Sequence, residues 1–179
     1  MVVLTERVIT FVLGGVRSGK SRFAQALAAR HKRVLFVATA RESDDEMRAK
    51  IARHRADRPF DWETVEEPLH LSRTLRERAE GHDFVLIDCL TLWVANLLAE
   101  GEGEWLERAE EFYRALGDVP CPVAIVSNEV GSGIVPAYAL GRIYRDALGE
   151  VNQRMAALAG NVVLMVAGIP LAIKGTVAP

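Results

Sequence analysis

Residues 14–21, GGVRSGKS, follow directly on the apolar run at residues 8–13, VITFVL. The glycines and the final Lys-Ser pair have the G-x-x-x-x-G-K-[ST] spacing of a phosphate-binding loop, or P-loop. The glycines let backbone N–H groups curl around an anion, the start of a helix adds its dipole, and Lys20 supplies a full positive charge. The stretch therefore predicts a strand, a phosphate loop and a helix, in that order.

Similar apolar runs recur along the chain, at residues 34–38, 84–88, 123–127 and 162–167. Nearly continuous hydrophobicity over five or six residues is typical of a strand buried on both faces. Helix-like segments lie between them, at residues 20–31, 91–100 and 141–159, and residues 100–111 are typical of a solvated loop that enters a helix. The alternation predicts an α/β fold of the P-loop NTPase type, with a mainly parallel sheet and helices on both faces. At 179 residues, we expect a single domain over residues 1–179.

Ligands of such sheets collect at the carboxyl ends of the strands. The residues at or just past these ends are Gly14, Ala38, Asp88 and Asn128. We expect Asp88 and the Ser21 hydroxyl to hold Mg²⁺ beside the bound phosphates. The alternative is that Asp88 only caps a helix that starts near Thr91.

A histidine lies in an unusual place in residues 43–59, where a capping-box spacing and a proline predict a helix start and a helix end. Helical geometry puts His54 on one stripe with Met47, Ile51 and Arg58. A histidine on an apolar stripe is more often a core residue. In the functional interpretation, neutral His54 attacks a phosphorus atom while Arg55 and Arg58 neutralise phosphate charge. Spacing alone leaves both open.

Composition excludes several function classes. The 22 basic residues nearly balance the 24 acidic ones and form no long block, so we expect no nucleic-acid partner. The start of the chain does not read as a signal peptide, because Glu6 and Arg7 interrupt its apolar run. The apolar tail at residues 162–173 is far shorter than the roughly 20 residues that cross a bilayer. We expect no membrane span and a cytoplasmic location.

Five blocks in order resemble a known family along essentially the whole chain. They are GGVRSGKS, DDEMRAKIARHRADRP, DCLTLWVANLL, SNEVGSGIVP and GRIYRDALGEVNQ. The family they resemble is the bifunctional adenosylcobinamide kinase and adenosylcobinamide-phosphate guanylyltransferase of cobalamin biosynthesis. The resemblance implies phosphorylation of adenosylcobinamide by ATP or GTP, followed by transfer of GMP from GTP through a covalent histidine–GMP intermediate.

The resemblance also implies residue roles. His54 takes the position of the histidine that carries GMP, and Arg53 stands where some members have a second histidine. The implied nucleotide-binding residues are Gly14, Gly15, Val16, Arg17, Ser18, Gly19, Lys20, Ser21, Ala38, Thr39, Ala40, Arg55, Ala56, Asp57, Arg58, Glu66 and Asp88. A homotrimer with the nucleotide site near a subunit boundary is implied as well.

Some assignments stay open. Glu129 either orients the substrate hydroxyl in the kinase step or caps a turn in a glycine-rich loop. Arg142, Arg145 and Asp146 pair internally or contact a neighbouring subunit. A different P-loop small-molecule kinase without a covalent intermediate, or a nucleotide-binding regulatory module, would also fit the phosphate loop, although neither requires the other four blocks.

Overall fold

The computed structural model of the chain describes residues 7–41, 59, 61–101 and 103–176. The strands in this part are β1 Ile9–Gly14, β2 Val34–Ala38, β3 Glu63–Glu66, β4 Phe84–Asp88, β5 Val123–Val126, β6 Asn161–Val166 and β7 Ile169–Lys174. The helices are α1 Lys20–Ala28, α2 Leu71–Arg78, α3 Leu90–Glu100, α4 Trp105–Asp118 and α5 Ala139–Leu158. Among these residues, no helix combines the length and the apolar character needed to cross a membrane.

The seven described strands form one sheet in the order β3-β2-β4-β5-β1-β6-β7. Each neighbouring pair is parallel except β6 with β7, which is an antiparallel hairpin. Because β5 lies between β1 and β4, the phosphate loop after β1 and Asp88 at the end of β4 are separated by one strand. The carboxyl ends of the parallel strands lie along a single edge, where the site residues gather.

Both faces of the sheet are covered, as the near-continuous apolar strands require. One core cluster joins strand residues such as Phe11 and Ile125 to side chains of α2, α3, α4 and α5. The other cluster joins the alternate strand residues, such as Val12 and Val126, to Ala24 and Ala28 of α1. We refer below to these two sides of the sheet as the α5 face and the α1 face.

The five strands predicted from apolar runs are confirmed, within a residue at most of their ends. The apolar runs and helical patterns of the sequence do not predict β3, β7 or α2. β3 has the sequence ETVE and half of its residues are exposed, so it lacks a continuous apolar run. β7 contains Pro170 and is largely exposed at the sheet edge, where a proline is tolerated. α2 is only eight residues long and carries three arginines, so its apolar stripe is short.

Candidate active site

Strand register aligns the predicted site residues along the carboxyl edge. Ala38 pairs with Glu66 on one side and with Asp88 on the other. Asp88 pairs with Val126, which pairs in turn with Val12, two residues before the phosphate loop. The edge therefore runs from Glu66 through Ala38 and Asp88 to the end of β5 and then to Gly14.

The side chains at this edge share one face. Ala38 and Leu86 belong to the cluster on the α1 face. Side chains alternate along a strand, so Asp88, two residues after Leu86, lies on the α1 face as well. The phosphate loop leads into α1 on the same face, and the Asp88 carboxylate is close enough to Lys20 to oppose the lowering of its pKa by burial.

The phosphate loop is closely packed at its first residue. Gly14 has φ of 152°, and a Cβ there would lie 2.6 Å from both the Met165 carbonyl oxygen and the Ser18 hydroxyl. A larger side chain at this position would displace backbone, so glycine is required. The loop ends at Gly19, the residue before α1, whose carbonyl oxygen accepts the first helical hydrogen bond from the Phe23 N–H at 3.0 Å. The N-terminus of α1 thus opens towards the loop, as anion binding requires.

The Lys20 ammonium lies within the phosphate loop. Its side chain is 7% exposed, and its ammonium donates a 2.5 Å hydrogen bond to the Gly15 carbonyl oxygen. Burial lowers the pKa of Lys20 below its usual value, while nearby Cys89 and Asp88 act in the opposite direction. A phosphate bound in the loop would supply the negative charge that the buried ammonium lacks.

Ser18 contributes a buried hydroxyl to the loop. Its oxygen finds no hydrogen-bond partner among the described residues, although its side chain is only 8% exposed. Buried hydroxyls are normally hydrogen-bonded, and exceptions cluster at functional positions. The unpartnered hydroxyl, the tight glycine and the buried ammonium together fit an anion in this loop.

Metal binding requires oxygen donors near the phosphates. Ser21 is the second residue of α1, and Asp88 ends β4 on the same face. A hydroxyl and a carboxylate are the donors that Mg²⁺ takes from proteins while it keeps phosphate and water ligands. The residues present therefore fit Mg²⁺.

The alternative role of Asp88 as a helix cap is wrong. α3 begins at Leu90, and its N-cap residue is Cys89 rather than Asp88. The N-cap position of this helix is thus taken by the residue that follows Asp88. Among the described residues, the Asp88 carboxylate makes no hydrogen bond to the start of α3.

A polar network joins the loops beyond β2, β3 and β4. The Thr39 hydroxyl accepts from the Cys89 N–H at 2.9 Å and donates to the Cys89 carbonyl oxygen at 2.7 Å. The Asn96 amide of α3 donates to the carbonyl oxygens of Thr39, at 2.8 Å, and Pro68, at 3.2 Å. These bonds fix the two loops that flank Ala38 and Glu66.

The structure brings most of the predicted residues together. Those at the carboxyl edge are residues 14–21, Ala38, Thr39, Ala40, Glu66 and Asp88. His54, Arg55, Ala56, Asp57 and Arg58 lie outside the described residues.

The Glu129 carboxylate is engaged in a turn, where it accepts a 2.5 Å hydrogen bond from the Gly131 N–H. Arg142 donates to the carbonyl oxygens of Pro136 and Ala137, and Arg145 donates to that of Gly131. These side chains shape the loop that follows β5, which agrees with the turn interpretation of Glu129. Both arginines bind backbone carbonyl oxygens, and no ion pair with Asp146 is found among the described residues.

Sequence reasoning gave no role to Thr91 or Asn152, whose side chains bind the backbone of Asn128. The available signal was a buried asparagine on the apolar side of a long amphipathic helix. Asn152 is 7% exposed, and a buried amide requires specific partners.

An open groove of about 430 Å³ lies elsewhere, between β3 and α2. Its charged side chains include Arg73 and Arg78, which pair with Glu67 and Glu63. It contains none of the phosphate-loop residues, so we place the active site at the carboxyl edge and not in this groove.

Comparison with known proteins agrees with this geometry. The sequence pattern of the cobinamide kinase / cobinamide phosphate guanyltransferase family matches residues 10–173. The chain belongs to this family. It is 46% identical over 166 residues to the bifunctional adenosylcobalamin biosynthesis protein CobP of Pseudomonas aeruginosa, which covers 92% of this chain and 96% of that protein.

Another member of the family gives the same result. The bifunctional adenosylcobalamin biosynthesis protein CobU of Escherichia coli is 42% identical over 177 residues, covering 91% of this chain and 98% of the relative. The chain is therefore a member of an enzyme family, and the resemblance recognised in its five blocks is confirmed.

A solved structure supports the fold class. The KaiC-like protein of Pyrococcus horikoshii superposes with a TM-score of 0.51 at 15% identity, covering 89% of this chain and 71% of that protein. The predicted P-loop NTPase fold is confirmed by this likeness together with the observed sheet and phosphate loop.

Proposed function

We propose that the protein phosphorylates adenosylcobinamide with ATP or GTP and then transfers GMP from GTP onto the product. The second reaction yields adenosylcobinamide-GDP and pyrophosphate. The observation that supports this most strongly is that the phosphate loop and Asp88 meet on one face of the sheet in a chain that belongs to the cobinamide kinase and guanyltransferase family.

In the kinase step, the phosphate loop binds the donor nucleotide. Backbone N–H groups at residues 14–21 and the N-terminus of α1 surround the phosphates. The Lys20 ammonium moves from the Gly15 carbonyl oxygen to the phosphates and offsets the charge on the group that leaves. The substrate hydroxyl oxygen bonds to the terminal phosphorus as the bond to the departing nucleotide diphosphate breaks, and the hydroxyl proton passes to solvent water.

In the guanylyl-transfer step, His54 acts as a nucleophile. A neutral imidazole nitrogen attacks the α-phosphorus of GTP, the new N–P bond forms, and the bond to pyrophosphate breaks. A phosphate oxygen of the phosphorylated corrinoid then attacks the same phosphorus, which releases His54 and forms the pyrophosphate linkage of the product. Arg55 and Arg58, in the same segment, neutralise charge that develops on the α-phosphate.

We include Mg²⁺ in the proposal, held by Ser21 and Asp88. When bound, the ion offsets the negative charge of the nucleotide phosphates. The adjacent loops carry Ala38, Thr39, Ala40 and Glu66, which we assign to the nucleotide. The Asn96 bonds to Thr39 and Pro68 hold these loops in place.

We also propose a homotrimer located in the cytoplasm. Exposed apolar side chains support assembly, because exposed edge strands and apolar patches are typical of contact surfaces. Ile169, Leu171 and Ile173 alternate along β7 and are each more than half exposed. Sedimentation equilibrium measures the oligomeric state, and a monomer at working concentration would contradict the homotrimer.

The activity is tested by incubating the protein with adenosylcobinamide, GTP and Mg²⁺, and identifying the corrinoid products by chromatography and mass spectrometry. We expect the phosphate and then the GDP derivative. The Lys20→Ala variant should form neither above background. A wild-type protein that binds GTP but leaves the corrinoid unmodified would overturn the proposed function.

A further inference from the structure

The chain after β5 continues beside the phosphate loop. The Ser127 N–H donates to the Val12 carbonyl oxygen at 2.9 Å, and the Glu129 N–H donates to the Gly14 carbonyl oxygen at 3.2 Å. These bonds extend the parallel ladder two residues past the last regular pair of β5 and β1. Asn128 therefore lies directly beside the first residue of the loop, at the edge between β1 and β4.

Side chains from two helices clamp the backbone of Asn128. Its N–H donates to the Thr91 hydroxyl at 2.8 Å, and its carbonyl oxygen accepts from the Asn152 amide at 3.0 Å. The Asn152 side-chain oxygen accepts in turn from the Ser127 hydroxyl at 2.7 Å. Ser127 is fully buried and Asn152 is 7% exposed. Such a satisfied buried network rigidifies the segment that it holds.

The hydrogen bonds of this network indicate on which face of the sheet the Asn128 side chain lies. The Ser127 hydroxyl meets Asn152 of α5, so the Ser127 side chain is on the α5 face. Val126 belongs to the cluster on the α1 face. Because side chains alternate along an extended segment, the Asn128 side chain lies on the α1 face, with Lys20 and Asp88.

Asn128 is partly buried, and within the described part of the chain its carboxamide makes no hydrogen bond. Hydrogen bonds thus hold both the backbone N–H and the backbone carbonyl oxygen of Asn128, while its side-chain N–H groups have no acceptor in the described part of the chain. A phosphate-loop lysine reaches the β- and γ-phosphates of the nucleotide. The phosphate loop and Asp88 flank the end of β5 in the sheet, so we place the terminal phosphate that Lys20 reaches near the end of β5.

We propose that the Asn128 side-chain amide donates a hydrogen bond to the terminal phosphate of the nucleotide in the phosphate loop, and so distinguishes a triphosphate from a diphosphate. This inference rests on the proposed function, in which the loop binds ATP or GTP. A neutral donor is suited to this place, because Lys20 already supplies a full charge and the amide adds direction without another desolvated cation. Asn152 is a positioning residue that holds Asn128.

The test compares Asn128→Ala with Asn128→Asp, which keeps the shape but replaces the donor by a carboxylate. The probes are the α,β-methylene analogues of GTP and GDP with Mg²⁺, which resist cleavage at the α-phosphate, and the readout is the dissociation constant from calorimetry. Asn161→Ala is the matched control, since Asn161 starts β6 at the opposite end of the sheet and bonds to Thr10 and Thr176.

We expect Asn128→Ala to weaken triphosphate binding roughly tenfold while diphosphate binding changes less than about twofold, as expected for one lost hydrogen bond to a charged group. Asn128→Asp should weaken triphosphate binding further, through charge repulsion. Asn161→Ala should leave the ratio of the two constants unchanged. Equal losses for both probes, or no loss for the triphosphate, would overturn the inference. A wild-type protein that binds neither probe would instead overturn the proposed function.

Discussion

The Gly168 N–H donates a 2.9 Å hydrogen bond to the Ser18 carbonyl oxygen, which ties the turn between β6 and β7 to the phosphate loop. Gly168 has φ of 83°, a left-handed conformation that L side chains rarely adopt. The hairpin at the end of the sheet is therefore part of the structure that shapes the nucleotide site.

Replacing Gly168 by alanine tests this connection. The left-handed conformation should cost the variant about 1 kcal/mol in free energy of unfolding. Because the bond to Ser18 would be disturbed, GTP binding should weaken as well. Gly81→Ala is a matched control, because Gly81 also has φ of 83° and an added Cβ meets nothing within 4 Å among the described residues. Urea unfolding and calorimetry measure both effects, and an equal change in GTP affinity in the two variants would contradict the connection.

Replacement of serine by alanine should have opposite effects on the free energy of unfolding at two buried serines. Ser18→Ala removes a hydroxyl without a partner in the described part, so the nucleotide-free protein should gain about 1 kcal/mol in free energy of unfolding. Ser127→Ala breaks the bond to Asn152 and leaves a buried acceptor unsatisfied, so that variant should lose about 2 kcal/mol. Denaturant unfolding compares them, and a loss at Ser18 would mean that its hydroxyl is satisfied without nucleotide.

The metal role of Asp88 predicts a specific change in Asp88→Asn. Because a carboxylate ligand is lost, the Mg²⁺ concentration for half-maximal turnover should rise roughly tenfold. Asp83→Asn, just before β4, disturbs only the ion pair with the Arg33 side chain and the hydrogen bond from the Arg33 backbone N–H, and should leave the Mg²⁺ dependence unchanged. If turnover of Asp88→Asn depends on Mg²⁺ as in the wild type, Asp88 does not bind the metal.

Burial of Lys20 predicts how nucleotide affinity depends on pH. Desolvation lowers the pKa of Lys20 below 10.5, although Cys89 and Asp88 oppose the shift. As the pH rises through this lowered pKa, the free protein loses the ammonium charge, so affinity for the triphosphate analogue should fall before the pH reaches 10.5. Lys20→Arg stays charged and should show a flatter profile, even if its affinity at neutral pH is lower. If the affinity of Lys20→Arg falls with pH in parallel with that of the wild type, Lys20 does not cause the fall.

The buried strands and the phosphate loop could be predicted from the sequence because each rests on a local pattern. Residues 8–13 and 34–38 are apolar throughout, and the spacing of Gly14, Gly19, Lys20 and Ser21 is specific. The hairpin of β6 and β7 could not be predicted, because an edge strand with Pro170 and exposed residues lacks that pattern. The same holds for β3, which is short and half exposed.

The order of the strands in the sheet could not be predicted from the sequence either. Nothing local indicates that β5 lies between β1 and β4, and this order is what brings Asn128 beside Gly14. The clamp from Thr91 and Asn152 joins residues 37 and 24 positions away from Asn128 in the chain. Such long-range pairs arise from packing, so the sequence could suggest Asn128 as an edge residue but could not assign it a partner or a role.

We propose that GTP bound in the phosphate loop is cleaved at its α-phosphate by His54. The most direct test is mass spectrometry of the intact protein and its peptides after mixing with GTP and Mg²⁺ without corrinoid, for the wild type and for His54→Ala. We predict a GMP adduct on His54 that is labile in acid and is absent from the variant. If GTP binds demonstrably and no adduct forms on the wild type, the covalent mechanism is contradicted.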